Sequence, residues 1–406
     1  MAFQSIPLNH QNQFSLWVNN NEALLFSEQE RSLAALEPLN VSLFLAIDEG
    51  LSKQQIITQI VQDSGLNADV INDSYQSIAD MFDNRNYQSN ANGQSKTITY
   101  SDGRYPELDK PANTNVSDAI HIRVATSYFD IECDDIDLYR AINALFQPVM
   151  AKGEDKANFA LTINSSEHEY RLLANGVLVE QVPSASHMLP VLIDRLQILA
   201  YQNTVYKLVF HGAALSRCIE GKTTTVLLPG VSGAGKTTLA AELSSKGFYL
   251  HSDEIIAFDQ DFNIPTIDLP MAIKSGSWPH LHSQYTELAQ AQEWLRIDGR
   301  RIKYVWPAQF ANKEFASKKL RKTDSEHHRI YILCPEFTPK AAGRVEQLTL
   351  SQSLALMTHG GYQLGHELSR ESAAELIYFF ENLSSFKLTY GTSSDALQLV
   401  EDLCQR

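Results

Sequence analysis

The run Gly230-Val231-Ser232-Gly233-Ala234-Gly235-Lys236-Thr237 is the most explicit chemistry in this chain. A G-x-x-x-x-G-K-[ST] segment grips phosphates when it joins a strand to a helix. Here Thr223-Thr224-Thr225-Val226-Leu227-Leu228 reads as a buried strand before it, and Leu239-Ala240-Ala241-Glu242-Leu243 opens a helix after it. Glycines let backbone N–H groups curl around an anion where a Cβ would interfere. The helix N-terminus adds its partial positive charge at the same place. Gly230, Ser232, Gly233, Ala234, Gly235, Lys236, Thr237 and Thr238 are therefore expected to hold nucleotide phosphates. Lys236 would reach the outer phosphates and Thr237 would offer its hydroxyl to a metal, so ATP and Mg²⁺ are the implied cofactors.

A phosphate grip alone moves no phosphoryl group; a metal-holding acid and a proton acceptor are also needed. Residues 248–252 read as a second strand that ends at Asp253-Glu254. An isolated Asp-Glu is more often a solvated turn or helix cap, but one strand beyond a phosphate loop the pair is placed to ligate Mg²⁺ and act as general base. His211-Gly212 follows the apolar residues 206–210 and precedes the loop strand. A lone His is more often structural than catalytic, and a Gly directly after it, at an apparent strand end, predicts close backbone packing. His280, His282, His327 and His328 read as surface-loop residues. Cys133, Cys218, Cys334 and Cys404 lie far apart, with neither zinc nor disulfide spacing.

At 406 residues, two or three domains are expected around these groups. A net charge of −15 argues against a nucleic-acid partner. No apolar run approaches the ~18 residues of a membrane span, and the N-terminus lacks a secretory pattern, so a cytoplasmic protein without membrane contact is expected. Residues 1–85 read as a small unit. Phe14, Leu16 and Val18 alternate, Asn19-Asn20-Asn21 turns the chain, and Ala23-Leu24-Leu25-Phe26 returns as a hairpin partner. Helices follow on Leu39, Leu43, Phe44 and Ile47 up to Gly50; from an N-cap at Ser52 to Gly65; and on Val70, Ile71, Tyr75, Ile78 and Phe82. Residues 86–116 are polar and read as a linker. Residues 117–204 alternate strand and helix patterns, with an Asn175-Gly176 hairpin turn, and 205–406 carry the phosphate loop.

His211-Gly212-Ala213-Ala214-Leu215, the glycine loop, and Lys246-Gly247-Phe248-Tyr249-Leu250-His251-Ser252-Asp253-Glu254 together resemble the HPr serine kinase family, over roughly residues 205–260. The likeness is closer to the HPr-kinase-related group found beside PqqD-like proteins. That group continues with a segment like Pro270-Met271-Ala272-Ile273-Lys274-Ser275-Gly276-Ser277-Trp278, then one like Asp298-Gly299-Arg300-Arg301-Ile302-Lys303-Tyr304 before Pro307. The resemblance implies a mixed α/β fold: a phosphoenolpyruvate-carboxykinase/HPr-kinase-like P-loop domain over 117–406. It also implies that Asp253 is the base, that Thr237, Asp253 and Glu254 serve the metal, and that His211 belongs to the site. Glu254 stands where true HPr kinases carry a second Asp. Lys274, Arg300 and Arg301 are candidate charge stabilisers, with ordinary surface basics the plain alternative.

Residues 1–85 are similar to PqqD-like domains, with Leu39-Asn40 leading to Ile47-Asp48-Glu49-Gly50 and on to Ile56. Such domains are winged-helix folds that bind a peptide as an added strand at a sheet edge. The whole is expected to be a Mg-ATP-dependent kinase acting on a hydroxyl, a serine of a peptide or protein that this first domain presents. Alternatives are a small-molecule (amino acid or sugar) kinase and a non-catalytic nucleotide-sensing peptide binder. True HPr kinases assemble as hexamers, which leaves a homo-oligomer open.

Overall fold

Alternating Phe14, Leu16 and Val18 form a strand, and so do the apolar residues after the Asn turn. In the computed structural model, which describes residues 2–82, 119–151, 155–202, 206–231, 233–311, 328–359, 362–364 and 369–405, they become β2 (Phe14–Val18) and β3 (Ala23–Ser27). Two edge strands that the pattern does not announce, β1 (Gln4–Ile6) and β4 (Ser32–Leu36), complete a four-stranded antiparallel meander. Three helices follow: α1 (Pro38–Asp48), α2 (Lys53–Ser64) and α3 (Ala68–Phe82). Ser52 and Gln55 close a reciprocal capping box on α2, and Gly65 ends it in the left-handed conformation. The linker expected at 86–116 lies outside the described residues.

Phe14, Leu16 and Leu25 pack against Leu43, Phe44, Ile56, Ile71 and Ile78 on one face of this sheet. Trp17, Leu24 and Phe26 alternate onto the other face and are buried as well. Chain contacts divide the protein into two units, and the first unit joins residues 1–99 to 347–358 and 366–385. Those later segments supply most of the helix Leu350–His359 and the helix Arg370–Glu381. The Glu22 carboxylate accepts from the backbone N–H of Leu350 (3.2 Å) and Ser351 (2.5 Å), satisfying the first turn of one helix. Against the desolvation of burial, these bonds hold Glu22 below its usual range. Arg370 pairs with Glu28 at 3.1 Å, and Phe3 N–H donates to Glu381 at 2.9 Å. The N-terminal unit is therefore built from segments far apart in the chain.

The second unit spans 100–346, 359–365 and 386–406. Its first sheet runs β5 (Ile120–Val124), β6 (Ser127–Cys133), β7 (Phe159–Ser165), β8 (Tyr170–Ala174) and β9 (Val177–Val182), in that order. β6 and β7 are parallel and the other pairs antiparallel. Asn175 and Gly176 both take positive φ (53° and 79°), as the predicted two-residue hairpin turn requires. Helices α4 (Ile136–Phe146) and α5 (Ala185–Gln202) share a core with this sheet.

The second sheet contains β10 (Leu208–Ile219), β11 (Lys222–Pro229), β12 (Tyr249–Ser252), β13 (Ile255–Phe258), β17 (His328–Phe337), β18 (Arg344–Gln347), β19 (Tyr362–Leu364) and β20 (Ser384–Tyr390). Its main path is β12-β10-β11-β17-β20-β18, with β13 and β19 also on β10. β10 and β11 are antiparallel and β11 and β17 parallel, so the sheet is mixed. Helix α6 (Lys236–Ser245) follows β11 and packs on β10. Between the sheets' segments, β14 (Met271–Lys274), β15 (Glu293–Leu295) and β16 (Arg301–Val305) form a small antiparallel sheet ordered β14-β16-β15.

Two local expectations are corrected. The strand through His211-Gly212 does not end there but continues to Ile219. His328 lies in β17, where its Nε2 meets Thr225 Oγ1 at 2.8 Å, rather than in a surface loop. No helix among the described residues is long and apolar enough to cross a membrane.

The assembly of the first unit from separated segments yields a direct test. A fragment of residues 1–82 lacks the segments 347–358 and 366–385 that belong to the same unit as the buried Trp17, Leu24 and Phe26. It should show emission from Trp17, its one tryptophan, shifted toward that of water, and no cooperative urea transition. A blue-shifted Trp17 with a sigmoidal transition would mean that the N-terminal segment stands alone.

Candidate active site

The glycine loop leaves β11 at Pro229 and enters α6 at Lys236. Gly230, Gly233 and Gly235 take φ of 145°, 94° and 93°, which L side chains rarely adopt. At Gly235 space is closed as well, since an added Cβ would run into the Tyr390 hydroxyl. Lys236 is buried, and its Nζ donates to the carbonyls of Gly230 (2.8 Å) and Val231 (2.9 Å). Burial drives its pKa down to about 8, against the opposing charges of Glu254 and Asp253. Thr238 Oγ1 shares a 2.6 Å hydrogen bond with Ser277 Oγ, which ties the start of α6 to the turn after β14. Ser232 lies outside the described residues.

Asp253 and Glu254 form the bend between β12 and β13. Asp253 is 9% exposed, and neither carboxylate oxygen meets a hydrogen-bond partner among the described residues. The Thr237 hydroxyl lies near enough to favour the charged form without reaching hydrogen-bond geometry. Burial, then the Glu254 charge, push its pKa up to about 7 despite Lys236, Thr237 and Lys274. The Glu254 backbone carbonyl accepts from Gly212 N–H (3.0 Å) and from His211 Nδ1 (2.7 Å). A carbonyl only accepts, so Nδ1 carries the hydrogen and Nε2 keeps its lone pair. Burial lowers the His211 pKa against the pull of Glu254, favouring the neutral ring.

Lys236, Glu254 and Lys274 each lie within electrostatic reach of both His211 and Asp253. Lys274 is lowered by burial first and by Arg300 second, while Glu254 and Asp253 raise it. Arg300 pairs with Asp298, its Nε 2.7 Å from Oδ2. Arg301 is not brought in: it pairs with Glu293 and lies over the Trp278 ring, 5.6 Å from its centre. Strand parity explains this. Arg301 and Lys303 share the Trp278 face of β16, while Ile302 and Tyr304 point into the core shared with α5.

Three residues were missed. Asp194 on α5, Arg296 after β15 and Tyr304 on β16 line a cleft together with Asp253 and Glu254. Arg296 Nη2 pairs with Asp194 at 3.1 Å, and its Nη1 lies 3.9 Å from Glu254. Burial pushes Asp194 up to about 6 against the Arg296 charge, although 43% of its side chain is accessible. A concave wall accounts for both, being dense with protein yet open to water, and the accessible oxygen tempers the shift. One signal was present: an Asp directly after the apolar run 188–193 of this helix.

No cluster of three or more His, Cys, Asp or Glu side chains able to hold a metal occurs among the described residues. Mg²⁺ does not require one, because it keeps several waters and takes one or two carboxylates plus phosphate oxygens. The unpartnered Asp253 carboxylate beside Thr237 fits that donor set. Compared with known proteins, the chain matches no family model and no curated protein.

The raised Asp253 pKa has a stability consequence. Its folded value of about 7 exceeds the unfolded 3.8, so the folded chain binds the extra proton and wild-type stability falls as pH rises from about 4 to about 7. Asp253→Asn removes that loss. Its stability relative to wild type should grow by on the order of 2–4 kcal/mol between pH 4 and pH 8, measured by urea unfolding without nucleotide. A pH-independent difference would contradict the burial of an unpaired carboxylate.

Proposed function

We propose that this protein is a Mg-ATP-dependent kinase that transfers a phosphoryl group to a hydroxyl, a serine of a peptide or protein bound by the N-terminal unit. The observation that carries the reading is the convergence of a glycine phosphate loop with a buried, unpartnered Asp253 across the β10–β12 pairing. The resemblance to HPr-kinase-related proteins near Asp253-Glu254 supports the same chemistry.

Lys236 and the α6 N-terminus would hold the nucleotide phosphates, and Thr237 and Asp253 would hold Mg²⁺, with Glu254 beside them. Bound Mg²⁺ supplies neutralisation of charge on the phosphoryl oxygens. Asp253, buried at the bend and without a hydrogen-bond partner among the described residues, would take the proton of an incoming hydroxyl. Glu254 fixes His211 through its backbone carbonyl, and its carboxylate lies 3.5 Å from the His211 ring and 3.9 Å from Arg296. Lys274 adds positive charge beside the two acids, where charge would develop in transfer.

Asp253→Ala should cut ADP production by about 10²-fold or more while a fluorescent ATP analogue still binds. Undiminished ADP production would sink the kinase reading. With labelled ATP and fractionated lysate of the source cell, wild type should label peptide or protein. Label confined to a small-molecule fraction, and lost with Asp253→Ala, would replace the peptide acceptor with a small one.

A further inference from the structure

Phe337, the last residue of β17, has no task in that scheme. It is 48% exposed, whereas Tyr331 and Tyr390 are buried in the core shared with α6. Single exposed apolar side chains are ordinary on a protein surface. This one is an aromatic ring standing at the glycine loop. β11 and β17 are parallel, with Leu227 opposite Ile332. β11 ends at Pro229 while β17 runs on to Phe337, so the end of β17 passes alongside the loop. Phe337 Cβ lies 3.6 Å from where a Cβ at Gly235 would stand, one residue before Lys236. Side chains alternate along a strand, so Phe337 takes the face of Tyr331 and Leu333, beyond the edge of their core. Glu336 takes the opposite face, where it accepts from Thr389 and pairs with Lys387.

The ring is supported from within the fold. Tyr390 is 4% exposed, its hydroxyl closes the space at Gly235, and its ring centre lies 5.8 Å from that of Phe337. The backbone beneath is tied as well. Thr338 N–H donates to the Tyr390 carbonyl (2.9 Å), and Ala341 N–H donates to the Thr338 carbonyl (3.0 Å). Gly391 packs so closely on this turn that a Cβ there would stand 2.5 Å from the Ala341 carbonyl oxygen. Phe337 thus presents a half-exposed aromatic surface on a well-anchored backbone.

The sheet order gives that surface a direction. β11 has β10 on one side and β17 on the other, and Asp253 follows β12, on the β10 side. A nucleoside triphosphate lying in the loop with its terminal phosphate toward Asp253 sends its other end toward β17. That end is the base, whose flat face stacks on aromatic side chains. We propose that Phe337 is the platform on which the nucleotide base stacks, with Tyr390 supporting its ring. The proposal rests on the kinase reading for the nucleotide itself; the place of the ring beside the loop does not.

The test is calorimetric titration of the full chain with MgATP and with magnesium inorganic triphosphate, which offers phosphates and no base. Wild type should bind ATP about tenfold more tightly than triphosphate, and Phe337→Ala should weaken ATP about tenfold while moving triphosphate by about twofold at most. Phe337→Leu keeps apolar bulk but loses the flat face, and should weaken ATP about fivefold with urea unfolding still cooperative. Phe337→Trp restores a face and should hold ATP within about threefold of wild type. ATP affinity unmoved by Phe337→Ala and Phe337→Leu, or both ligands weakened equally, overturns the platform and leaves the loop's hold on phosphates standing. Binding of neither ligand by wild type overturns the platform and the kinase reading together.

Discussion

One close backbone approach holds the loop and the acids together. Gly212 lies opposite Pro229, the last residue before the glycine loop, and its N–H donates to the Glu254 carbonyl. A Cβ at Gly212 would stand 2.8 Å from both the Leu228 carbonyl oxygen and Ile256 Cδ1. Any side chain there pushes the end of β11 away from the bend that carries Asp253 and Glu254. The same residue marks where β10 passes from pairing with β13 and β19 to pairing with β11 and β12. His211, one residue earlier, binds the same carbonyl through its ring, so one acceptor fixes both backbone and side chain. The separation of loop and acids is therefore set by strand pairing, not by the conformations of two surface loops.

Within that frame the charges are poised rather than settled. Burial disfavours the ammonium of Lys236 and the carboxylate of Asp253, and each only partly restores the other. Both are closer to neutrality than their types ordinarily are. A site in this condition responds strongly to added charge, because counter-charges replace the water that burial removed. His211 differs: desolvation outweighs Glu254 and keeps it neutral, with a free lone pair on Nε2. The arrangement holds one neutral imidazole, one buried acid and one buried amine whose protonation is mutually dependent.

Contiguous features were legible in the sequence. The eight-residue loop needed only a strand before it and a helix after it, and Ser52, Gly65 and Asn175-Gly176 followed from local capping and turn chemistry. Features made by distant pairing were not. The strand before Gly212 read as ending there because glycine ordinarily weakens a strand, and only its neighbours keep β10 extended through Gly212. The helices that complete the first unit lie more than 300 residues from Glu22, and no local pattern records such a contact. Arg301 suggested charge stabilisation by its type, but strand parity turned it away from the face that Tyr304 shares with α5. Asp194, Arg296 and Tyr304 meet only because α5 packs on the β15 hairpin.

A four-residue strand such as β12 is a weak support for a residue whose position matters as much as that of Asp253. Its pairing with β10 is also interrupted by an irregularity between Ala214 and Leu215. Side chains supply the missing constraint. His251 Nδ1 meets Thr266 Oγ1 at 3.0 Å and its Nε2 meets Ser216 Oγ at 2.8 Å; Ser216 continues to Thr225 (2.6 Å) and Thr225 to His328 (2.8 Å). The chain crosses β12, β10, β11 and β17. A neutral imidazole needs one donor and one acceptor, and hydroxyls on both sides provide either role. Burial holds the His251 pKa down to about 4, so the neutral ring persists through the ordinary pH range. An apolar residue at 251 would fill the space but would tolerate a slip of β12 along β10, whereas a satisfied buried network permits one register. That network lies two residues from Asp253, and it makes the placement of the acid a property of the sheet rather than of the short strand alone.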